Sequence, residues 1–240
     1  AEKTFEARNS LFTALRHSPR IISYMREYRL GIRGIAFSPD GKMLVTGGCG
    51  AATEYGLCTL GKISFWDFTA RQQERLPIYS HSAHIQKIII SPDGSILASV
   101  GWDGSLLLWS LATSQSLGQL HGVPPWEPHL TFSPDCHVLA IETRPNSIEL
   151  WDIVRNREIE PPIVSPTDGI YSLAFSPDGQ ILVWGSGNNN VNFYSLRTHE
   201  IDSVSLLDKL GPGRITDIHF SRDGTTIILV STYSSATVLA

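Results

Sequence analysis

Cysteine is scarce in this chain, with three among 240 residues: Cys49, Cys58 and Cys136. An odd, low count does not make a disulfide framework and fits a reducing compartment, so a cytoplasmic protein is expected. Cys49 and Cys58 are read as two free thiols, with a disulfide or a metal half-site as alternatives. No stretch is long and apolar enough to span a bilayer. The opening Ala1-Glu2-Lys3 has no apolar signal core. It also lacks a Met, and the chain is read as an excerpt of a longer protein. There is no Gly-x4-Gly-Lys-Ser/Thr loop to cradle nucleotide phosphates. There is no Gly-x-Ser-x-Gly elbow for a serine nucleophile. No carboxylate pair stands out as general acid and base. A large excess of one charge is missing too: 19 Lys/Arg stand against 23 Asp/Glu, net −4. Neither nucleic acid nor a membrane is therefore expected as a partner. The charge is uneven, with net +4 over residues 1–33 and −8 over the rest, and the basic start is read as a solvated helix.

What the chain does have is repetition. Ser-Pro-Asp followed by Gly or Cys occurs at Ser38, Ser91, Ser133 and Ser176, and Ser-Arg-Asp-Gly at Ser221. The separations are 53, 42, 43 and 45 residues. A turn recurring at such intervals marks one structural unit repeated, and repeat folds mostly present surfaces for binding. Pro pre-sets a turn φ, and Asp-Gly supplies a residue tolerant of positive φ. Each turn is flanked by short apolar runs, as in Ile85–Ile90, Ser95–Val100 and Ser105–Trp109, or Ile170–Phe175, Gln180–Trp184 and Val191–Tyr194. Ser114–Leu120, Glu158–Val164 and Ile201–Leu206 supply a fourth, weaker strand. Four short strands per unit predict a propeller blade. Residues 1–17 differ: they lack Gly and Pro, and Phe5, Phe12 and Leu15 share a helical face. The organisation expected is an amphipathic linker helix over 1–19 and five propeller units over 20–240.

The unit resembles the WD40 repeat. Trp66-Asp67 and Trp151-Asp152 match the dipeptide that names the family, Trp109-Ser110 and Tyr194-Ser195 are variants, and Leu239-Ala240 occupies that place in the fifth unit. The resemblance implies an all-β propeller of four-stranded blades, here five. An arc of a larger propeller is expected, with a closed five-bladed ring as the alternative, in which Arg20–Arg26 pairs with the strand ending at Ala240. It also implies a buried polar tetrad in each blade. Only the second unit keeps all four members, His81, Ser99, Asp103 and Trp109, so one wired blade and four mostly apolar ones are expected. These residues are read as structural, not catalytic. The segment FEARNSLFTALRHSPRII (5–22) resembles the junction before the C-terminal WD40 array of bacterial STAND-type signalling NTPases.

The function expected is a non-enzymatic protein-interaction scaffold, the sensor or regulatory array of a larger bacterial signalling protein. Its partners would be a protein or peptide at the propeller mouth and other domains of the same longer chain. Alternatives are a propeller hydrolase with a central metal and a purely structural spacer. His81 and His84 are three apart, but no further ligands follow with convincing spacing, so no metal and no cofactor are expected. One ring of mouth positions, seven residues before each turn serine, holds Gly31, His84, Trp126, Gly169 and Arg214. A second ring includes Trp102 and Arg144. Trp and Arg dominate binding hot spots, so Trp102, Trp126, Arg144, Arg214 and His84 are the partner-binding candidates. Tyr55 joins them from an insertion between Gly47 and Gly61, where a loop on a rigid scaffold can carry function.

Overall fold

The computed structural model describes residues 28, 30–67, 70, 72–124, 128–144, 146–232 and 237–239. The expected helix over 1–19, the outer strand over 20–26, Trp126 and Ala240 lie outside the described residues.

The chain is all-β and folds as consecutive antiparallel sheets, each made of neighbouring strands in order. The first sheet comprises β1 (Ile32–Phe37), β2 (Met43–Ala52), β3 (Cys58–Asp67) and β4 (Gln72–Tyr79). The second comprises β5 (Ile85–Ile90), β6 (Ile96–Gly101), β7 (Ser105–Ser110) and β8 (Ser116–His121). The third holds β9 (Leu130–Phe132), β10 (Val138–Arg144), β11 (Ser147–Asp152) and β12 (Arg157–Val164). The fourth holds β13 (Ser172–Phe175), β14 (Ile181–Gly185), β15 (Asn190–Ser195) and β16 (Ile201–Ser205). A one-turn helix, α1 (Leu207–Leu210), leads into the fifth, β17 (Ile215–Phe220), β18 (Ile227–Ser231) and β19 (Thr237–Leu239). These are propeller blades, and the turn repeat locates each one.

All five turns are built alike. The turn serine donates its Oγ–H to the aspartate Oδ1 at 2.5–2.6 Å. The same Oγ accepts the backbone N–H five residues on at 2.9–3.0 Å. The aspartate Oδ1 accepts the N–H two residues after it at 3.0–3.2 Å. The residue after each aspartate lies at φ between 62° and 75°, and in the third turn this left-handed place is filled by Cys136 rather than glycine. The serine hydroxyl first, and then the N–H, hold the carboxyls of Asp40, Asp93, Asp135, Asp178 and Asp223 below the usual carboxylate range. The side-chain bonds therefore close the hairpin whose first strand lines the axis.

Apolar clusters lie between blades. Val45, Ile63 and Phe65 of the first blade pack with Ile85, Ile88 and Leu97 of the second. The second meets the third through Val100, Leu108, Leu130 and Ile141. Trp184 and Leu182 meet Ala140 and Ile148, and Ile215 and Ile218 meet Val183 and Val191. Gly34 sits where an added Cβ would stand 3.0 Å from Ile88, so the absent side chain lets blade two approach. Three residues before their turn serines, Ile88 is 3% exposed and Ile218 4%, but the corresponding Ile35 is 60% exposed. Ile35 thus stands open on the face of blade one turned away from blade two, whereas Leu44, Thr46 and Ser64 on the same face are buried.

Replacing Ser91, which is fully buried, removes both the bond to Asp93 and the acceptor for the Ile96 N–H. Ser91→Ala is expected to cost ~2 kcal/mol in urea unfolding, and Ser221→Ala, at a more exposed turn, ~1 kcal/mol or less. Equal costs at both turns would show that burial does not set the strength of the turn bond.

Candidate functional site

The second blade carries a continuous chain of polar contacts. Trp109 Nε1–H donates to Ser99 Oγ at 3.0 Å, and Ser99 Oγ lies 2.8 Å from His81 Nε2. His81 Nδ1 lies 3.2 Å from both Asp103 oxygens. With Ser99 donating to Nε2 and Nδ1–H donating to Asp103, every proton has a use and the imidazole is neutral. Burial lowers the His81 pKa, against the raising pull of Asp103. Burial pushes Asp103 up, but Ser105, His81 and the Ser82 N–H together hold it below its ordinary value. Gly101 completes the fit, because a Cβ there would run into His81 Nδ1 and Asp103 Oδ1.

The other blades are not as apolar as their aligned residues imply. In the first, Trp66 Nε1–H donates to Thr46 Oγ1 at 3.0 Å, and the Tyr28 hydroxyl lies 2.8 Å from the same oxygen. Tyr28 thus fills the histidine place. In the fourth, the aligned residue is Trp184, and its Nε1–H donates instead to Ser165 Oγ at 2.8 Å. The buried Asn192 ties Thr167, Ser186 and Ser203 together at 3.0, 3.1 and 2.6 Å. The expectation of one wired blade is therefore corrected: polar side chains from other positions rebuild networks in blades one and four. The third blade does follow the apolar pattern, with Ile141 fully buried and Trp151 Nε1 buried without a partner. Asn189, in the turn between β14 and β15, is fully buried. It donates to Gly211 O at 2.7 Å and accepts from Ser231 Oγ at 2.7 Å, joining blade four to blade five.

The insertion in blade one does not form a loose loop. It lengthens β2 and β3 to ten residues each, with a tip at 53–57. Cys49 and Cys58 are joined as a disulfide across this hairpin, which corrects the reading of two free thiols. The bridge also removes the cysteine count as an argument for a reducing compartment. Gly61 N–H donates to His81 O at 2.7 Å, so the hairpin leans on the entry to blade two. Tyr55 at the tip is 85% exposed.

The mouth lies at the end of each sheet where the first strand begins and the second finishes. There Trp102 N–H donates to His84 O at 2.9 Å. The Trp102 ring is 47% exposed and stands 5.7 Å from the His84 ring, with the Arg33 guanidinium 4.9 Å over it. His84 is buried, its Nδ1 2.8 Å from Ile85 O and its Nε2 unpartnered. Arg214 covers Tyr171 at 4.7 Å. The structure brings Trp102 and His84 into contact and puts Arg214 on the wall of the axial cavity with Arg33. The side chains of Trp126 and Arg144 lie outside the described residues. Alignment seven residues before the turn misses Arg33 and Tyr171, which line the cavity from two residues further in, and Lys87 and His129, three further in. The period-two alternation of the inner strands was the signal that could have found the first pair. Burial first, and then the charge of Lys87, push the His129 pKa down to about 4. Among the described residues, no group of three or more His, Cys, Asp or Glu converges as a metal cage.

The geometry agrees with the comparisons to known proteins. The family model "WD domain, G-beta repeat" matches residues 22–53, 74–110 and 162–195. These stretches fall mainly on the first, second and fourth blades, which are similar there to WD40 repeats. The small ribosomal subunit protein RACK1 of Drosophila melanogaster is 32% identical over 126 residues, 49% of this chain and 39% of that protein. Its Caenorhabditis elegans counterpart is 34% identical over 125 residues, 48% of this chain and 38% of that protein. Protein groucho of Drosophila melanogaster is 26% identical over 184 residues, 73% of this chain and 24% of its own length. The matched segments thus span well under half of each of these relatives.

Two measurements test the polar groups. Ser99→Ala leaves His81 Nε2 and Trp109 Nε1 without their shared partner, and is expected to cost ~2–3 kcal/mol in urea unfolding; a loss near zero would mean that the network does not stabilise the blade. Burial raises the Glu142 carboxyl to about 7. The folded chain then holds a proton that the unfolded chain has released, so this contribution is present below the ordinary 4.5 and lost as pH rises through about 7. His129 has the opposite slope, costing stability as pH falls from 6.5 towards about 4. The difference between Glu142→Gln and the unaltered chain isolates the carboxyl. That difference is expected to favour the variant by ~1 kcal/mol more at about pH 8 than at about pH 5, after allowance for solvent screening. A difference that does not change with pH would refute the shift.

Proposed function

We propose that this chain is a non-enzymatic scaffold that binds a protein or peptide at its propeller mouth, within the regulatory array of a larger signalling protein. The observation that carries the reading is Trp102, half exposed and braced between Arg33 and His84 at the edge of an axial cavity of about 790 Å³. A large aromatic held rigid beside an arginine is the composition of a binding hot spot. The name of the RACK1 relatives places those proteins in a multi-component assembly, which supports a scaffold for this chain as well. The signalling context is supported by the resemblance of residues 5–22 to a signalling junction. An arc of a larger propeller is supported by Ile35, exposed where its counterparts in blades two and five are covered.

Affinity capture with the purified chain tests the reading. Proteins retained by the unaltered chain are expected to be lost with Trp102→Ala. They are expected to persist with Leu76→Ala, whose side chain is 87% exposed on the outer strand β4. Unchanged capture by the Trp102 variant would remove the mouth as the binding site.

A further inference from the structure

We propose that the axial channel receives an acidic, carboxylate-bearing segment of the protein partner, held by Arg33, Lys87 and Arg214. The proposal rests on the mouth reading above and names the chemistry of what enters. The whole chain is net −4, but among the described residues the cavity wall carries these three cations and no Asp or Glu. Such a local reversal of sign, between low-dielectric walls, concentrates anions.

The cations come from three blades and converge on one space. Arg33 lies on β1, Lys87 on β5, and Arg214 just before β17. Both guanidiniums are stacked on rings, Arg33 over Trp102 and Arg214 over Tyr171, at 4.9 and 4.7 Å. Stacking uses the flat face of a guanidinium and leaves its edge N–H donors pointing outward, the arrangement that grips a carboxylate through two bonds. Lys87 donates one proton to Pro128 O at 3.0 Å, which leaves its other donors for a ligand. Burial lowers the Lys87 pKa, and the carboxylate of Asp217, which is not on the wall, raises it in part. An arriving anion would do the same more directly.

Other features favour a peptide over a bare ion. Ile88 and Ile89 supply apolar wall for aliphatic stems. Gln86 lines the same cavity with its Oε1 buried and unpartnered, and a turn of that side chain would pair it with a backbone N–H of the segment. Nucleic acid fits less well. The overall charge repels a polyanion at long range, and the ring of Tyr171 is already covered by Arg214.

The test is fluorescence anisotropy with the full chain and a short, capped, labelled Glu-rich peptide. Its Gln counterpart and a short single-stranded RNA serve as the other probes. The Glu peptide is expected to bind, to weaken as salt rises, and to lose about tenfold or more in affinity with Arg33→Ala plus Arg214→Ala, a loss on the scale of charge-assisted bonds. Lys87→Met, which keeps the buried stem, is expected to weaken it less. Equal binding of the Glu and Gln peptides, no loss in the double variant while its melting curve is unchanged, or tighter binding of the RNA would each overturn the proposal. If the Glu peptide fails while Trp102-dependent capture persists, the acidic ligand is wrong and the mouth reading survives. If capture fails as well, the mouth reading falls with it.

Discussion

The hydrogen bond from serine to aspartate at each inner hairpin is the constraint on which the rest of the structure depends. It spans two residues, and yet it sets the register of the two strands nearest the axis. The serine oxygen receives an N–H five residues on, and the aspartate receives one two residues on, so the loop can close in a single way. A slip by one residue would turn every inward side chain outward. Because the clusters between blades are built from those side chains, the packing of one blade on the next follows from the turn. The third unit shows that the constraint lies in the Ser–Asp pair more than in the glycine. Cys136 accepts a φ of 62° there, and the hydrogen bonds of the turn are unchanged.

This explains which parts of the molecule were legible in the sequence. The turns are local, and strand limits in the second unit agree with expectation to within a residue for the three inner strands and within two for the outer one. The polar networks are not local. Aligning each repeat on its turn asks whether the same residue type stands at the same place, and for blade four the answer is Pro166 and Trp184. Physically, the requirement is only that the buried indole N–H find an acceptor. Ser165 meets it from one residue away, and Tyr28 meets it in blade one with a hydroxyl in place of an imidazole. Sequence identity was a stricter test than the chemistry applies. In blade three no substitute is found among the described residues: the Trp151 nitrogen is buried without a partner, beside the fully buried Ile141 and Leu139.

The candidate site was legible in part for a related reason. Trp102, His84 and Arg214 stand at strand ends, where position relative to the turn translates directly into position at the mouth. The channel wall depends on how far each inner strand tilts towards the axis, which is a property of the assembled blades. Arg33 and Tyr171 lay within reach of the period-two alternation, but Lys87 on the wall emerges only from coordinates. The disulfide stood in the sequence only as an alternative to two free thiols. An odd cysteine count speaks about the whole chain, whereas pairing depends on two strands running side by side through the insertion.

The wired blade and the exposed tryptophan are adjacent in the chain, and this ties the stability of the blade to the candidate site. Trp102 lies between Gly101, which has no room for a side chain, and Asp103, which is bound by His81, Ser82 and Ser105. The loop that presents the indole is thereby held on both sides by the buried network. Its backbone N–H is held as well, by His84 O. The inserted hairpin of blade one adds a further brace where Gly61 meets His81. In the proposed mouth site, an indole fixed in this way would lose little freedom on association, and the entropic cost of binding would fall accordingly. Retention of all four network members in the blade that carries Trp102, while other blades rebuild or abandon theirs, is what such a positioning role requires.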